Sequence, residues 1–283
     1  MPLRSAGRRG VTLLDLMVAL VLAALLAAPL LRLMLGQQRL AVAAAERGSV
    51  RSSLVIAASF LTAAMREVAT GQPDSDLLEV ARDRLVFRAM RGIAIACARS
   101  ADALLVPAAS LPVGHPPRAV RDSLLLLVEA DSGAVPDRWI ARPIQAVATG
   151  GSCEGQPALQ ITVPLDSMAI GTRLLLPTPV RVFEVLEVRG YVQSGALWLG
   201  ARSVSGGESI QPVAGPFLAG GITFSPLDRS GGPAGDPRLV AAIGVRLVAR
   251  TERPVGFIGG PGDRGYAADS LSFRLGIRNA DGP

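Results

Sequence analysis

The chain opens on a long apolar run that passes into a helical stripe. Residues 11–35 are almost all apolar, and about 25 residues are enough to span the ~30 Å hydrocarbon core of a bilayer. Farther on, apolar residues recur close to the helical period of 3.6, at Val50, Leu54, Ala57, Leu61, Met65 and Val68. Gly71 and Pro73 are typical of a helix end. The pattern therefore predicts one long N-terminal helix.

Beyond Pro73 the pattern changes to short β-rich segments separated by Gly, Pro and Asp. The predicted strands are 84–90, 123–129, 139–147, 158–163, 173–176, 180–188, 191–192, 196–199, 222–225, 239–249 and 270–277. Ser194 and Gly195 are expected to form a hairpin turn between two of them, and residues 101–121 and 226–238 are expected to be long loops. The fold class predicted is α+β: a transmembrane α-helix continues into an amphipathic helix packed on an antiparallel β-sheet-rich globular domain.

Composition and charge restrict the classes of function that are expected for this chain. Hydrophobic residues make up 49% of the 283 residues and aromatic residues only 4%, so the core must be built mainly from aliphatic side chains. All 29 basic residues are arginine, and the net charge of +6 is spread along the chain. Nucleic-acid binders usually cluster basic residues or add aromatic stacking platforms. Neither feature is present in the sequence, which disfavours nucleic-acid binding.

The two cysteines leave two alternatives open. In an oxidising compartment Cys97 and Cys153 would form one disulfide, and otherwise they are two unrelated buried thiols. The sequence has no C-x-x-C and no H-E-x-x-H pattern, so a zinc site is not expected.

Three other sequence features give only weak evidence for a nucleotide-binding, calcium-binding or catalytic site. GPGDRG (260–265) matches G-x-G-x-x-G, but a dinucleotide site needs a strand before it and a helix after it, and a loop is favoured here. Asp228 and Asp236 flank a glycine-rich loop without the ligand spacing of an EF-hand calcium site. His115 has no G-x-S-x-G nucleophile motif to accompany it. We therefore expect no enzyme activity, no cofactor and no metal.

The N-terminus admits three interpretations. Arg4, Arg8 and Arg9 precede the apolar run and favour a cytoplasmic N-terminus. A secretory signal peptide would be cut near Ala27 and Ala28, but its apolar region would then carry an acid. A plain transmembrane anchor explains the length of the run and not that acid.

The third interpretation accounts for the whole pattern. Arg8 and Arg9 are followed by Gly10-Val11-Thr12-Leu13-Leu14-Asp15, which combines a glycine, Thr-Leu-Leu and an acid. The apolar helix continues directly after Asp15. This order resembles the G-F-T-L-x-E signature of type IV pilins and pseudopilins. The chain departs from it in having Val11 where Phe is usual and Asp15 where Glu is usual.

The resemblance implies specific roles for these residues. Prepilin peptidase would cut between Gly10 and Val11 on the cytoplasmic side, and the new amino terminus of Val11 would be N-methylated. In the family, the acid at the position of Asp15 is thought to pair with the terminal amine of a neighbouring subunit and to set the axial register of the filament. A buried amine needs such a partner, and an acid in the first turn also suits the helix dipole.

The resemblance extends to the later strands and to the domain plan. The passages 182–203, 212–231 and 240–251 are similar to a hairpin, a strand with a following turn and a long strand in W-type minor pilins and J-type pseudopilins. The implied plan is a cleaved leader (1–10), a transmembrane helix (11–36), a periplasmic part of the same helix (37–71) and a β-rich pilin-like domain (72–283).

The function implied is that of a structural subunit. It would prime, assemble or cap a type IV pilus or a type II secretion pseudopilus, with prepilin peptidase, other minor pilins or pseudopilins and the inner-membrane assembly platform as partners. It would cross the inner membrane once, with a cytoplasmic N-terminus and a periplasmic domain, before entering the filament. The rival hypothesis is a singly anchored envelope protein that binds a ligand and matches the leader by chance.

Overall fold

One long helix and a large antiparallel β-sheet make up the fold, which confirms the α+β class. The structure, a computed structural model, describes residues 12–71, 75–100, 102–111, 116–130, 137–165, 172–256, 264–277 and 279–281. The helix, α1, runs from Leu13 to Met65. It ends earlier than the predicted Gly71, because Ala69–Gly71 forms a short strand instead.

The strands lie in chain order as follows. The first six are β1 (Ala69–Gly71), β2 (Leu77–Ala81), β3 (Arg84–Ala96), β4 (Ala98–Ser100), β5 (Ala103–Pro107) and β6 (Ser123–Ala130). The next six are β7 (Arg138–Pro143), β8 (Ala146–Cys153), β9 (Gln156–Thr162), β10 (Thr172–Arg173), β11 (Thr178–Gln193) and β12 (Ala196–Ser203). The last six are β13 (Gln211–Leu227), β14 (Ala242–Arg250), β15 (Val255–Gly256), β16 (Arg264–Gly265), β17 (Ala268–Gly276) and β18 (Asn279–Asp281).

Most strands belong to one antiparallel sheet of ten strands. Its main path is β10-β6-β11-β12-β13-β14-β17; β3 pairs with β11, β2 pairs with β3, and β7 pairs with β6. A second sheet of four strands has the order β4-β5-β9-β8. Two small pairs complete the described strands, β1 with β18 and β15 with β16.

The chain divides into two compact units. The smaller one takes its described residues from Met1–Ser49 and Thr251–Ala267, and so contains the apolar part of α1 together with β15 and β16. The larger one takes its described residues from Val50–Arg250 and Ala268–Pro283, and so contains the last part of α1 and both large sheets.

The larger unit buries one side of the last part of α1. Its buried helix residues lie in one apolar cluster with strand residues such as Phe87, Phe217 and Leu247, namely Val50, Leu54, Ala57, Leu61 and Met65. A polar contact adds to this packing, since the Ser53 hydroxyl donates to the Gly215 carbonyl at 2.8 Å. The spacing of the buried residues is the helical spacing seen in the sequence.

Some strand boundaries differ from the sequence prediction. The predicted strand 139–147 is two strands, because the chain passes from β7 in the main sheet to β8 in the second sheet. Buried Ile144 lies between the two strands, so the apolar pattern of the sequence continues through the break and does not mark it. Residues 103–107, predicted within a loop, form β5 in the second sheet.

The two predicted strands around Gly190 are one continuous strand, β11. Gly190 does not break it: a Cβ added there would lie 3.3 Å from the Leu197 side chain, so the position favours a small residue within the sheet. The predicted hairpin turn is confirmed. Ser194 and Gly195 have φ of 51° and 76° and join Gln193 to Ala196, the geometry of a two-residue type I′ turn.

A second apolar cluster lies beside the disulfide. It joins residues of β3, β5, β6, β9 and β11, such as Ala96, Leu104 and Ile161. A disulfide links Cys97, between β3 and β4, to Cys153 at the end of β8, with their Cα atoms 5.8 Å apart. The bond therefore joins the end of a main-sheet strand to the second sheet.

A buried acid of β11, Glu187, is paired with arginines of its own strand and of the two neighbouring strands. Glu187 is only 1% exposed, and its carboxylate contacts Arg84 at 2.6 Å, Arg189 at 3.7 Å and also Arg202. Because Arg84 and Arg189 lie directly opposite each other in the sheet, the carboxylate offsets a repulsion between like charges. Burial raises the pKa of Glu187, but the hydrogen bond from Arg202 and the charges of Arg84, Arg202 and Arg189 outweigh it, and the pKa is lowered overall.

We expect Glu187 to make stability depend on acid pH. With its pKa lowered in the folded state, the ionised carboxylate stabilises the fold above the unfolded value of about 4.3, and this stabilisation is lost as pH falls through the folded pKa. Glu187→Gln should therefore lower the free energy of unfolding at pH 7. The free energy of unfolding of this variant should also decrease less steeply as the pH falls below about 4.3. Urea unfolding at several pH values measures this, with Glu129→Gln at an exposed strand position as the control. Equal pH profiles for wild type and Glu187→Gln would contradict it.

Candidate functional site

The apolar part of α1 has the clearest functional character in the described chain. Its large apolar side chains are exposed, for example Leu13 at 77% and Leu25 at 65%. Contiguous exposed apolar surface of this extent marks a contact with a membrane or a protein. By length and composition, α1 is able to cross a membrane.

Charged residues bound this apolar stretch. Asp15 lies in the first turn of α1, and Arg32 is the next charged residue along the chain. At 1.5 Å per residue the helix rises about 26 Å between them, somewhat less than the ~30 Å hydrocarbon thickness of a bilayer. A long arginine side chain near a helix end reaches the interface by snorkelling, so Arg32 is compatible with a membrane span.

Thr12 and Asp15 close the N-terminus of α1 by reciprocal hydrogen bonds. The Asp15 backbone N–H donates to the Thr12 hydroxyl oxygen at 3.3 Å. The Thr12 backbone N–H and its hydroxyl group donate to Asp15 Oδ2 at 3.1 Å and 2.8 Å. This is a capping box, with Asp in place of the usual Glu or Gln. Asp15 therefore has a local role at the helix start, and its carboxylate is held at the end of the apolar stretch.

The capping partner Thr12 was not singled out from the sequence. The signal was present, because Thr followed three residues later by an acid before an apolar run is the pattern of a capping box. The other residues of the leader motif, Gly10 and Val11, lie outside the described residues.

The remaining sequence candidates have local partners or fall outside the described residues. Asp228 accepts from the Ser230 hydroxyl at 2.6 Å and from the Gly232 N–H at 2.9 Å, and these bonds lower its pKa. The pKa of Asp236 is likewise lowered, by hydrogen bonds from Arg238. Within the described part of the chain, no group of three or more His, Cys, Asp or Glu side chains could hold a metal ion.

Two of the predicted features fall wholly or partly outside the described residues. His115 is one of them. In GPGDRG (260–265) only the last two residues are described, and they form β16.

The larger unit also has an open cleft of about 500 Å³ that the sequence did not predict. It is lined by Glu67, Met90, Arg91, Gly92, Ile93 and Arg181. Arg91 donates to Glu184 at 2.7 Å, and Arg181 donates to the Glu67 carbonyl at 3.3 Å. These residues come from the turn that follows α1 and from two paired strands, and their proximity depends on long-range pairing with no local sequence signal.

Comparison of the chain with protein-family models, with curated proteins and with solved structures found no match.

Proposed function

We propose that this protein is a minor pilin or pseudopilin, a structural subunit that primes, assembles or caps a type IV pilus or a type II secretion pseudopilus. One observation carries the proposal: the motif from Gly10 to Asp15 leads directly into an exposed apolar helix long enough to span a membrane. A plain anchor needs the apolar length alone. The proposed function also explains the glycine and the acid at the start of the run.

Processing and topology follow from the arginines before the motif. Positive charge keeps the N-terminus in the cytoplasm, where prepilin peptidase cuts after Gly10 and the amine of Val11 is methylated. The β-rich domain then lies in the periplasm, an oxidising compartment in which a disulfide such as Cys97–Cys153 persists. The subunit crosses the inner membrane once and leaves it when the assembly platform adds it to a filament.

The apolar span has two successive environments in this proposal. Before assembly it is solvated by lipid, and in the filament it packs against the apolar helices of neighbouring subunits. Both environments are apolar and favour burial of the same exposed Leu and Val side chains. One sequence therefore serves as membrane anchor and as filament core.

The last part of α1 acts as the stem of the head domain. Its apolar stripe packs on the antiparallel sheet, as the buried cluster of Leu54, Leu61 and Phe87 indicates.

Asp15 has two successive partners in this account. In the isolated subunit its carboxylate accepts hydrogen bonds from Thr12. In the filament it also pairs with the methylated amine of Val11 of a neighbouring subunit. A carboxylate has room for both, because its two oxygens offer about four acceptor sites.

Co-expression with a prepilin peptidase tests the proposal. The wild-type chain should be shortened at Gly10, seen as a shift to lower mass on electrophoresis of membranes. Gly10→Ala should slow this cut, because a Cβ is added at the residue that precedes the scissile bond. Gly7→Ala is the matched control, a second leader glycine outside the motif, and it should be cut like the wild type.

The rival hypothesis of an envelope ligand-binding protein gives the opposite result. A chance match to the leader predicts no peptidase-dependent shift, with Gly10→Ala and Gly7→Ala alike.

A further inference from the structure

Over its second half, the outer edge of β3 has no strand partner among the residues that the structure describes. β2 pairs with β3 only from Arg84 to Phe87, and the Arg88 N–H donates to the Asp76 carbonyl just beyond. From residue 89 to 96, β11 is the one described strand that pairs with β3, along its other side. An open strand edge presents backbone N–H and C=O groups that are able to pair with another chain.

The cleft described above lies at this edge. Met90, Arg91, Gly92 and Ile93 of β3 contribute to its lining. An extended strand rises about 3.3 Å per residue, so a segment of about eight residues would cover the open edge.

A β-bulge turns Arg91 out of the regular pairing. Gly92 lies opposite Val182 and Met90 lies opposite Phe183, which leaves Arg91 as the extra residue. Bulges redirect side chains in this way. Arg91 donates through Nη1 to Glu184, but its Nε is buried and has no hydrogen-bond partner among the described residues.

Arg181 contributes a guanidinium on the face of the sheet that carries Ile93, opposite to the face on which Arg91 is bound by Glu184. Among the described residues it donates one hydrogen bond, to the Glu67 carbonyl, and its Nη1 lies 3.9 Å from Asp76 Oδ2, beyond hydrogen-bond distance. Its Cζ lies 5.9 Å from the centroid of the Trp139 ring, which holds the group in place. Arg181 therefore has donors to spare for an anionic ligand.

Apolar side chains follow the same edge. Ile93 and Ile95 are 62% and 52% exposed. They lie opposite Arg181 and Pro179 of β11, on the face of the sheet away from buried Ala94 and Ala96. β-branched residues in a row on an exposed strand form a surface for alternate side chains of an added strand.

We propose that the open edge of β3, with Arg181, Ile93 and Ile95, binds an extended acidic segment of another polypeptide as an added β-strand. Backbone hydrogen bonds to residues 89–96 would supply affinity, while a carboxylate at Arg181 and an apolar residue at the isoleucines would supply specificity. A second copy of this chain is a poor occupant, because pairing two such edges would bring arginines together. That the occupant belongs to a neighbouring filament subunit rests on the proposed function; strand binding itself does not.

A capped eight-residue peptide tests this site on the full chain in phospholipid nanodiscs. The probe carries two Val and two Glu at alternate positions, so that all four lie on one face of the added strand. Polar uncharged residues separate them, and a fluorescent label allows anisotropy to be measured. One control peptide has Lys for Glu, and another has alternate backbone amides N-methylated. The Glu peptide should bind, both controls should bind at least tenfold more weakly, and amide exchange of residues 89–96 should slow on binding.

Variants of the protein complete the test. Arg181→Gln should weaken binding of the Glu peptide at least tenfold, and Ile93→Ser, at an exposed position, should weaken it without affecting the contact between Arg181 and Asp76. Arg246→Gln, at an exposed arginine of β14, should leave it unchanged.

Three results would overturn the proposal. The first is that the Glu peptide does not bind at about 1 mM, which is the weak end of recognition. The second is that the N-methylated peptide binds equally well, and the third is that binding leaves amide exchange at residues 89–96 unchanged. If the Glu peptide does not bind but the chain is cut normally at Gly10, only the proposed strand-binding site is rejected. If the peptide binds but the chain is not cut, only the proposed pilin function is rejected.

Discussion

Replacing Asp15 by alanine is expected to abolish co-assembly with partner subunits and to leave membrane insertion and leader cleavage intact. Insertion should not suffer, because loss of a charge from an apolar segment makes partition into a bilayer easier. Assembly should fail, because the amine of a neighbouring Val11 would be buried in the filament without its counter-charge. Cross-linking and co-purification of tagged partner pilins from membranes measure the effect.

Two further variants separate this role from helix capping. Asp15→Asn keeps an oxygen that accepts from the Thr12 N–H, as the carboxylate does at 3.1 Å, and loses the charge. Asp15→Glu keeps the charge, lengthens the reach and restores the usual capping-box residue. We expect Asp15→Asn to fail in assembly like Asp15→Ala, and Asp15→Glu to assemble. Normal partner recovery with Asp15→Asn would show that only the local capping contact matters.

Removing the disulfide is expected to destabilise the β-rich domain by about 4 kcal/mol in the chain-entropy model. The estimate follows from the length of the closed loop, since Cys97 and Cys153 are 56 residues apart. In the Cys97→Ser, Cys153→Ser double variant, the unfolded chain regains the freedom that the cross-link removes. Urea unfolding in mild detergent, followed by tryptophan fluorescence, measures the loss.

The reduced wild-type protein is the matched control for this variant. With both thiols free it should unfold at the same urea concentration as the double variant. Equal midpoints for the oxidised and reduced wild type would show that the bond adds nothing to the stability of the fold.

The parts of the fold that local pattern determines could be predicted. The helical stripe from Val50 needs only a periodicity of 3.6, although the predicted stripe continued to Val68 and the helix ends at Met65. The Ser194–Gly195 turn needs only residues that tolerate positive φ. The limits of β11 were missed, because the predicted strands stop at 188 and resume at 191, whereas β11 runs on through Gly190, where the close approach of Leu197 favours a small residue.

The parts that depend on distant partners could not be predicted. Glu184 and Glu187 interrupt an apolar strand in the sequence, and only long-range pairing brings Arg91 and Arg121 to Glu184 and Arg84 to Glu187. The same holds for the open edge of β3, which exists because β2 is shorter than the strand it pairs with. Neither length is fixed by local propensity, because strand pairing depends on context.

Processing and assembly of this chain as a pilin, as proposed above, are tested most directly by mass spectrometry of the N-terminal peptide of the native protein isolated from membranes. We expect a chain that begins at Val11 with a methyl group on its amine. A chain that begins at Met1, or one cut after Ala28, would contradict it.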